Sequence, residues 1–176
     1  MKTEDQLIAD VFLREGDVYA EPPQIDQPTG RGGITLPVLK DYAGHHVTVA
    51  DLKAMTHDYA ASVIRWKLRQ LSLKSGFMKI ADEPVRLQMI DFAYNSGAEL
   101  AIRWLQRVLR VARTSKMDTD TLVAVGVADP WLLHHALIAA RLSMIDKATD
   151  PGGKVDRRYE EGLENRALEF SMLEVP

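Results

Sequence analysis

No cysteine occurs in the 176 residues, which excludes disulfides, thiolate metal sites and cysteine nucleophiles together. Long apolar runs are missing as well. No window approaches the roughly 18 uninterrupted apolar residues of a membrane span, and the opening MKTEDQLIADVFLREG lacks the basic start and continuous apolar stretch of a secretory signal. The expected product is soluble, made in the cytoplasm and without stable membrane insertion. Positive charge is not in excess: Lys and Arg number 22 against 25 Asp and Glu, which argues against nucleic acid as a partner. The P-loop and dinucleotide glycine patterns are absent, and no serine stands in a Gly-x-Ser-x-Gly setting. The five histidines include no i, i+4 pair, and His134 and His135, as helix neighbours, point about 100° apart. No metal site and no cofactor are expected.

What is present is a hydrophobic content of 46%, enough for a real core in a chain of this length. Leu7, Ile8, Val11 and Phe12 recur at helical spacing and predict a helix from Asp5 to Glu15, stopped by Gly16. A long stretch rich in Pro, Gly and polar residues follows, REGDVYAEPPQIDQPTGRGGIT, and loops of such length are either functional or disordered. Thr35–Tyr42 predicts a short helix. Thr48 predicts a cap, and a longer helix begins near Thr56, with Tyr59, Val63, Ile64 and Leu68 on one face. Asp82-Glu-Pro84 suits a helix start, where acids complement the free N–H groups and proline needs no donor. That helix runs to Asn95-Ser-Gly97, and another covers Glu99–Val111. WLLHHALIAARLSMI, after Asp129-Pro130, reads as a central buried helix closed by Asp150-Pro-Gly-Gly153. A final amphipathic helix carries Tyr159, Leu163, Leu168 and Phe170. With no alternating strand and no internal repeat, the expected fold class is all-α, or mainly α, with an irregular or short hairpin edge after the first helix.

Glu15 is the sharpest chemical candidate. A carboxyl at a helix C-terminus meets the negative end of the dipole, and apolar neighbours disfavour its charge further, so both favour the protonated form. Such an acid can donate to a leaving glycosidic oxygen; the plain alternative is a solvated glutamate beside Arg14. The irregular stretch offers Asp26 as a second carboxylate and Thr35 as a water-orienting hydroxyl. Inverting glycosidases hold their two carboxyl groups about 6.5–9.5 Å apart to admit a water. Singly, Asp26 reads equally as a turn residue and Thr35 as an N-cap. Tyr94 and Asn95 in IDFAYNSG, with Trp104 one element later, suit N-acetylated sugars, which present a flat apolar face and an amide. Core packing by Tyr94 and Trp104 and capping by Asn95 is the alternative. Tyr19 joins them as a candidate sugar contact.

The combination resembles glycoside hydrolase family 108, the lysozyme-like N-acetylmuramidases that include phage endolysins and proteins named secretion activators. The matching pieces run in family order: Glu15-Gly16 in REGDVY, Gly33-Ile-Thr35, DFAYNSG at 91–97, AIRWLQRVLRV at 101–111, DTDTLVAV at 118–125 and EGLENRALEF at 161–170. The resemblance implies one lysozyme-like domain over 1–176. Residues 1–88 would form its catalytic half, and residues 89–170 a peptidoglycan-binding half packed against it. It carries the family's catalytic acid to Glu15 and suggests Asp26 and Thr35 as the assisting pair. The implied activity is hydrolysis of the β-1,4 bond between N-acetylmuramic acid and N-acetylglucosamine. The implied partner is bacterial peptidoglycan, reached in the periplasm or cell wall through a holin, a secretion route or lysis.

The chain departs from the family at four places. The second glycine of Glu-Gly-Gly is Asp17, the Asp-Pro-Gly-Gly turn is DQPTGRGG, WKLRQLSLKSG replaces an expected Tyr-Trp pair, and Gly162-Leu163 replaces Gly-Trp. A lytic transglycosylase and a weakened binding or secretion-assisting protein stay open beside the muramidase, with a helical DNA-binding adaptor a distant third.

Overall fold

A computed structural model describes residues 3–21, 27–149, 164–165, 167–168 and 170. The fold is all-α. Among the described residues there are eight α-helices and two short 3-10 turns, and the only extended pairing is two isolated bridges. The chain falls into two compact units, Thr3–Gln70 and the part from Leu71 onward.

In the first unit, α1 (Glu4–Glu15) starts in a capping box, because the Thr3 hydroxyl accepts from the Gln6 N–H and the Gln6 side chain accepts from the Thr3 N–H. These bonds satisfy two of the donors that a helix start leaves open. Leu7, Ile8, Val11 and Phe12 are buried as the spacing predicts. Beyond α1 the irregular edge takes shape. Ala20 and Thr29 exchange both backbone hydrogen bonds at 2.9 and 3.0 Å, and Thr29 also bridges to Thr35. Between them Arg31–Gly33 forms a 3-10 turn. Gly32 has φ +64°, and a Cβ there would stand 2.6 Å from Ile64 Cδ1. Only glycine lets the backbone lie this close to the core.

The next helices are α2 (Leu36–Ala43), α3 (Val49–Lys53) and α4 (His57–Ser75). On α4 the core face is Ala60, Val63, Ile64 and Leu68. Tyr59, expected there, is instead 39% exposed and meets Tyr42 edge-on at 5.8 Å. Arg65 and Arg69 reach back to Asp5 and Glu4 at 2.6 and 3.1 Å, acids that the first turn of α1 already favours.

The second unit holds a 3-10 turn at Phe77–Lys79, then α5 (Glu83–Ser96), α6 (Ala98–Leu109), α7 (Thr119–Val127) and α8 (Pro130–Thr149). The central helix is α5, not α8. Val85 and every residue from Leu87 to Ala93 are buried, because α5 packs against both α6 and α8. On α8, Leu133, His134, Leu137, Ile138, Arg141 and Ile145 face inward, while Trp131 and Leu132 are 51% and 60% exposed. Apolar composition alone does not tell a helix covered on all sides from one covered on a single face.

Burying α5 on every side also buries polar groups, and each finds a partner. Asp91 pairs with Arg141 at 2.8 Å, and the guanidinium lies over Phe92 and Phe170. With its amide nitrogen turned to His134, Gln88 donates to Nδ1 at 3.1 Å, while Nε2 donates to the Phe170 carbonyl at 2.8 Å. This is the neutral imidazole, and burial holds the His134 pKa below its ordinary value. The buried Gln106 amide nitrogen lies 2.9 Å from the Thr114 hydroxyl, the Lys116 carbonyl and the Thr121 hydroxyl, folding the loop after α6. Asp118 caps α7, and bonds from Thr114 and Thr121 bring its pKa down to about 2.

Helix α7 was not predicted by periodicity. TLVAVGV is apolar all round, yet only Thr121 is buried, so no single face marks it. Asp150–Gly153, Tyr159 and Leu163 lie outside the described residues. Of the expected last helix, Phe170 is buried and Leu168 is 42% exposed. No single helix among the described residues is long and apolar enough to cross a membrane.

Candidate active site

Glu15 is the last residue of α1. Gly16 ends the helix with φ 84° and donates to the Phe12 carbonyl at 2.9 Å, and its own carbonyl accepts from the Gly32 N–H at 2.7 Å. That second bond ties the helix end to the glycine-rich turn. Gly33, with φ +66°, passes so close to Glu15 that a Cβ there would stand 2.8 Å from Glu15 Oε2 and 3.1 Å from its Cβ. The Glu15 side chain therefore lies along the backbone of Gly33. Thr35, two residues on and half-buried, occupies the N-cap position of α2, but its hydroxyl makes no capping bond. The structure thus brings Glu15 to Gly33, which is distant in the chain. Asp26 lies outside the described residues.

The surroundings of Glu15 differ from the apolar ones expected. The buried stripe of α1 stops at Phe12, Leu13 is 81% exposed, and Glu15 itself is exposed. A half-buried lysine on α4, Lys67, feels the Glu15 charge: burial lowers its pKa, and the glutamate acts in the opposite direction. Glu15 is consequently bordered by solvent, a glycine backbone and the field of one ammonium.

Asp17, at the departure from the Glu-Gly-Gly pattern, organises the turn after Glu15. The Arg31 guanidinium donates to the Asp17 backbone carbonyl, to Asp17 Oδ1 at 3.0 Å and to the Met55 carbonyl at 2.9 Å. His57 Nδ1 stands 2.9 Å from Asp17 Oδ2, and the imidazole stacks on Phe12 with ring centroids 4.2 Å apart. The bond from Arg31 is the main reason that the Asp17 carboxyl sits below the usual carboxylate range, with His57 adding to it and partial burial opposing. Tyr19 has Lys53 over its ring at 5.3 Å, and Lys53 also pairs with Glu21 at 3.2 Å. Partial burial, then Glu21, raises the Tyr19 phenol. Sequence reasoning did not single out Arg31, His57 or Lys67. The one available signal was an aspartate where the pattern wants glycine, since a charge at such a place needs a partner.

Tyr94, Asn95 and Trp104 belong to the second unit. Tyr94 is half-buried near the end of α5, and Asn95 is exposed, its amide donating to the Asp91 carbonyl one turn back. Trp104 is half-buried on α6, with the Arg107 guanidinium 4.8 Å from its ring centre. An open cavity of about 400 Å³ begins at Ser96 and is lined further by Gly97–Leu100 and Arg103. Its volume is within the range of small-ligand sites. Among the described residues, no three His, Asp or Glu side chains converge as metal ligands would.

Comparison with known proteins gives a full-length likeness to a solved structure. No protein-family model matches the chain, and no curated protein matches it. Among solved structures it is similar to SagA of Brucella abortus, at 27% identity and a TM-score of 0.58, over 97% of this chain and 96% of that one.

Proposed function

We propose that the chain is a peptidoglycan muramidase with a lysozyme-like fold, of the glycoside hydrolase family 108 kind, and that Glu15 is its general acid. The observation that carries this reading is the seat of the exposed Glu15 carboxyl on the backbone of Gly33. An exposed carboxyl at the edge of a glycine-lined turn is open to a glycan strand, and Thr35, on the same segment as Gly33, keeps an N-cap hydroxyl that makes no capping bond and can hold a water. The full-length likeness to Brucella SagA supports it.

In this mechanism Glu15 protonates the glycosidic oxygen between N-acetylmuramic acid and N-acetylglucosamine. The C–O bond breaks through an oxocarbenium-like transition state, and a water adds to the anomeric carbon as its proton passes to a base. Thr35 orients that water, and Asp26 is the residue proposed as base. Lys67 accompanies the carboxylate that Glu15 becomes on giving up its proton. Tyr19 is the sugar contact proposed in the unit of Glu15, and Tyr94, Asn95 and Trp104 are those proposed in the other unit. The protein acts in the periplasm or cell wall after export or release, by a holin or a secretion route.

One observation favours a second reading, glycan binding without turnover. The turn after Glu15 carries the Asp17–Arg31–His57 cluster where the family pattern has glycine. Mass spectrometry of fragments released from purified peptidoglycan separates the readings. The wild type should release hydrated muropeptides with reducing muramic acid ends, and Glu15→Gln, which removes the proton donor at constant volume, should release none while staying folded. Retained activity in Glu15→Gln excludes the acid assignment. Anhydro ends identify a transglycosylase, and no fragments from folded wild type leave binding as the function.

A further inference from the structure

His57, the first residue of α4, meets the end of α1 twice. Its ring stacks on Phe12 with centroids 4.2 Å apart, and its Nδ1 stands 2.9 Å from Oδ2 of Asp17. The other carboxylate oxygen of Asp17 takes the guanidinium of Arg31, the residue that leads into Gly32 and Gly33, where Glu15 rests. Phe12 and Glu15 stand at i and i+3 of α1 and so share a side of it. The imidazole is therefore placed on the Glu15 side of the helix end.

Charge fixes its tautomer. The Asp17 carboxyl, held below the usual carboxylate range chiefly by Arg31, is ionised at neutral pH and can only accept. Nδ1 must then carry the hydrogen, and the neutral ring is left with a bare lone pair on Nε2. Among the described residues Nε2 has no hydrogen-bond partner. The side chain is 53% exposed although one face lies on Phe12 and one edge on Asp17. What stays open to water is the second face and the edge away from Asp17, which bears Nε2.

We propose that His57 is a specificity-determining sugar contact of the Glu15 site, its Nε2 accepting the amide N–H of an N-acetyl group. The inference rests on a glycan being the substrate, as proposed above. An acetamido N–H is fixed in the plane of its group and can only donate, whereas a hydroxyl turns freely and bonds water as readily. A locked acceptor on a stacked ring suits the former. A second proton on the imidazole turns Nε2 into a donor, and the contact is lost. The charged groups at the ring are Asp17 and, bonded to the same carboxylate, Arg31; α1 contributes only Phe12, and Asp58 is the neighbour on α4. Asp17 stays ionised while the ring titrates, so a loss of binding on mild acidification belongs to His57.

The test is titration of the full chain, carrying Glu15→Gln so that cleavage does not interfere, with chitotetraose. Nitrogen NMR of labelled histidine should show a bare Nε2 in the free protein, and its signal should move as the sugar binds. His57→Phe, which keeps a ring on Phe12, should bind about fivefold more weakly, the worth of one hydrogen bond. His57→Gln, whose amide oxygen reaches the place of Nε2, should bind within twofold of the parent and lose the parent's weakening between neutral and mildly acid pH. Thermal unfolding checks each fold. Equal binding by His57→Phe, a hydrogen found on Nε2 of the neutral ring, or the same acid weakening in His57→Gln overturns the proposal. So does an equal movement of the Nε2 signal with cellotetraose, which has hydroxyls in place of the acetamides, and so does a failure of the folded parent to bind chitotetraose. Fragment release from peptidoglycan by chains with Glu15 intact keeps the two ideas apart. Release together with binding that ignores His57 removes the contact and leaves the hydrolase. Binding that depends on His57 without release removes the hydrolase and leaves the contact.

Discussion

In the unit formed by residues 3–70, arginines hold segments of the chain together. Arg31 joins the turn after α1 to the Met55 carbonyl, and Arg65 and Arg69 join α4 to the first turn of α1. In the unit from Leu71 onward, Arg103, Arg107, Arg110 and Arg113 have no such partner among the described residues, while Arg141 is buried against Asp91. The same side chain is a strap in one place, an open charge in another and a core member in a third. Exposed pairs such as Arg65–Asp5 contribute about 1 kcal/mol or less, so those of the first unit set geometry more than stability. The buried pair has the opposite character, because removing either partner strands a charge away from water.

Four experiments sharpen that contrast, beginning with the largest effect. Asp91→Ala should cost about 3–5 kcal/mol in urea unfolding, because a buried ion pair loses one of its two charges. A loss below about 1 kcal/mol would place Asp91–Arg141 with the exposed pairs. Gly33→Ala should lower activity about 100-fold by pushing the Glu15 carboxyl off its seat. Its unfolding free energy should fall by only about 1–2 kcal/mol, from the positive φ. Activity within twofold of wild type would mean that Glu15 does not work from the position seen. Asp17→Ala should reduce kcat about tenfold with KM and unfolding midpoint nearly unchanged, since its contacts are largely open to water but fix the turn beside Glu15. A changed midpoint with unchanged kcat would make the cluster a stabilising device instead.

The smallest effect is a slope. Burial lowers the pKa of His134 in the folded state, so the unfolded chain binds a proton at higher pH than the native one does. Its contribution to stability is complete above the unfolded value, near 6.5, and is lost as the pH falls from there toward the folded value. Denaturant unfolding followed from neutral to mildly acid pH should show a decline in wild type that is shallower in His134→Gln. Parallel curves would show that His134 is as easily protonated in the fold as out of it.

Much of the second unit was legible because local signals agree there. Asp82 and Pro84 start α5 and Gly97 ends it, as their chemistry predicts. The ranking of the helices was not legible, since α8 is the more apolar sequence while α5 is the more buried helix. Helix α7 was missed for lack of an apolar face. Of the proposed site, Glu15 at a helix end and Thr35 at a helix start were readable from Gly16 and Pro37. The tie of Gly16 to Gly32 and the contact of Glu15 with Gly33 were not, because they join residues far apart in the chain.

By itself the sequence determined the ends of α1 and α5, the start of α2, the all-α class and the glycines that an irregular edge requires. These follow from capping, proline and glycine stereochemistry and apolar spacing, all of which act within a few residues. Only the tertiary structure decided that Glu15 lies on Gly33, that Asp17 draws Arg31 and His57 together, and that Arg103, Arg107, Arg110 and Arg113 stay open to solvent. Those outcomes depend on which distant residue comes within hydrogen-bond or Coulomb reach, and spacing along the chain carries no record of it.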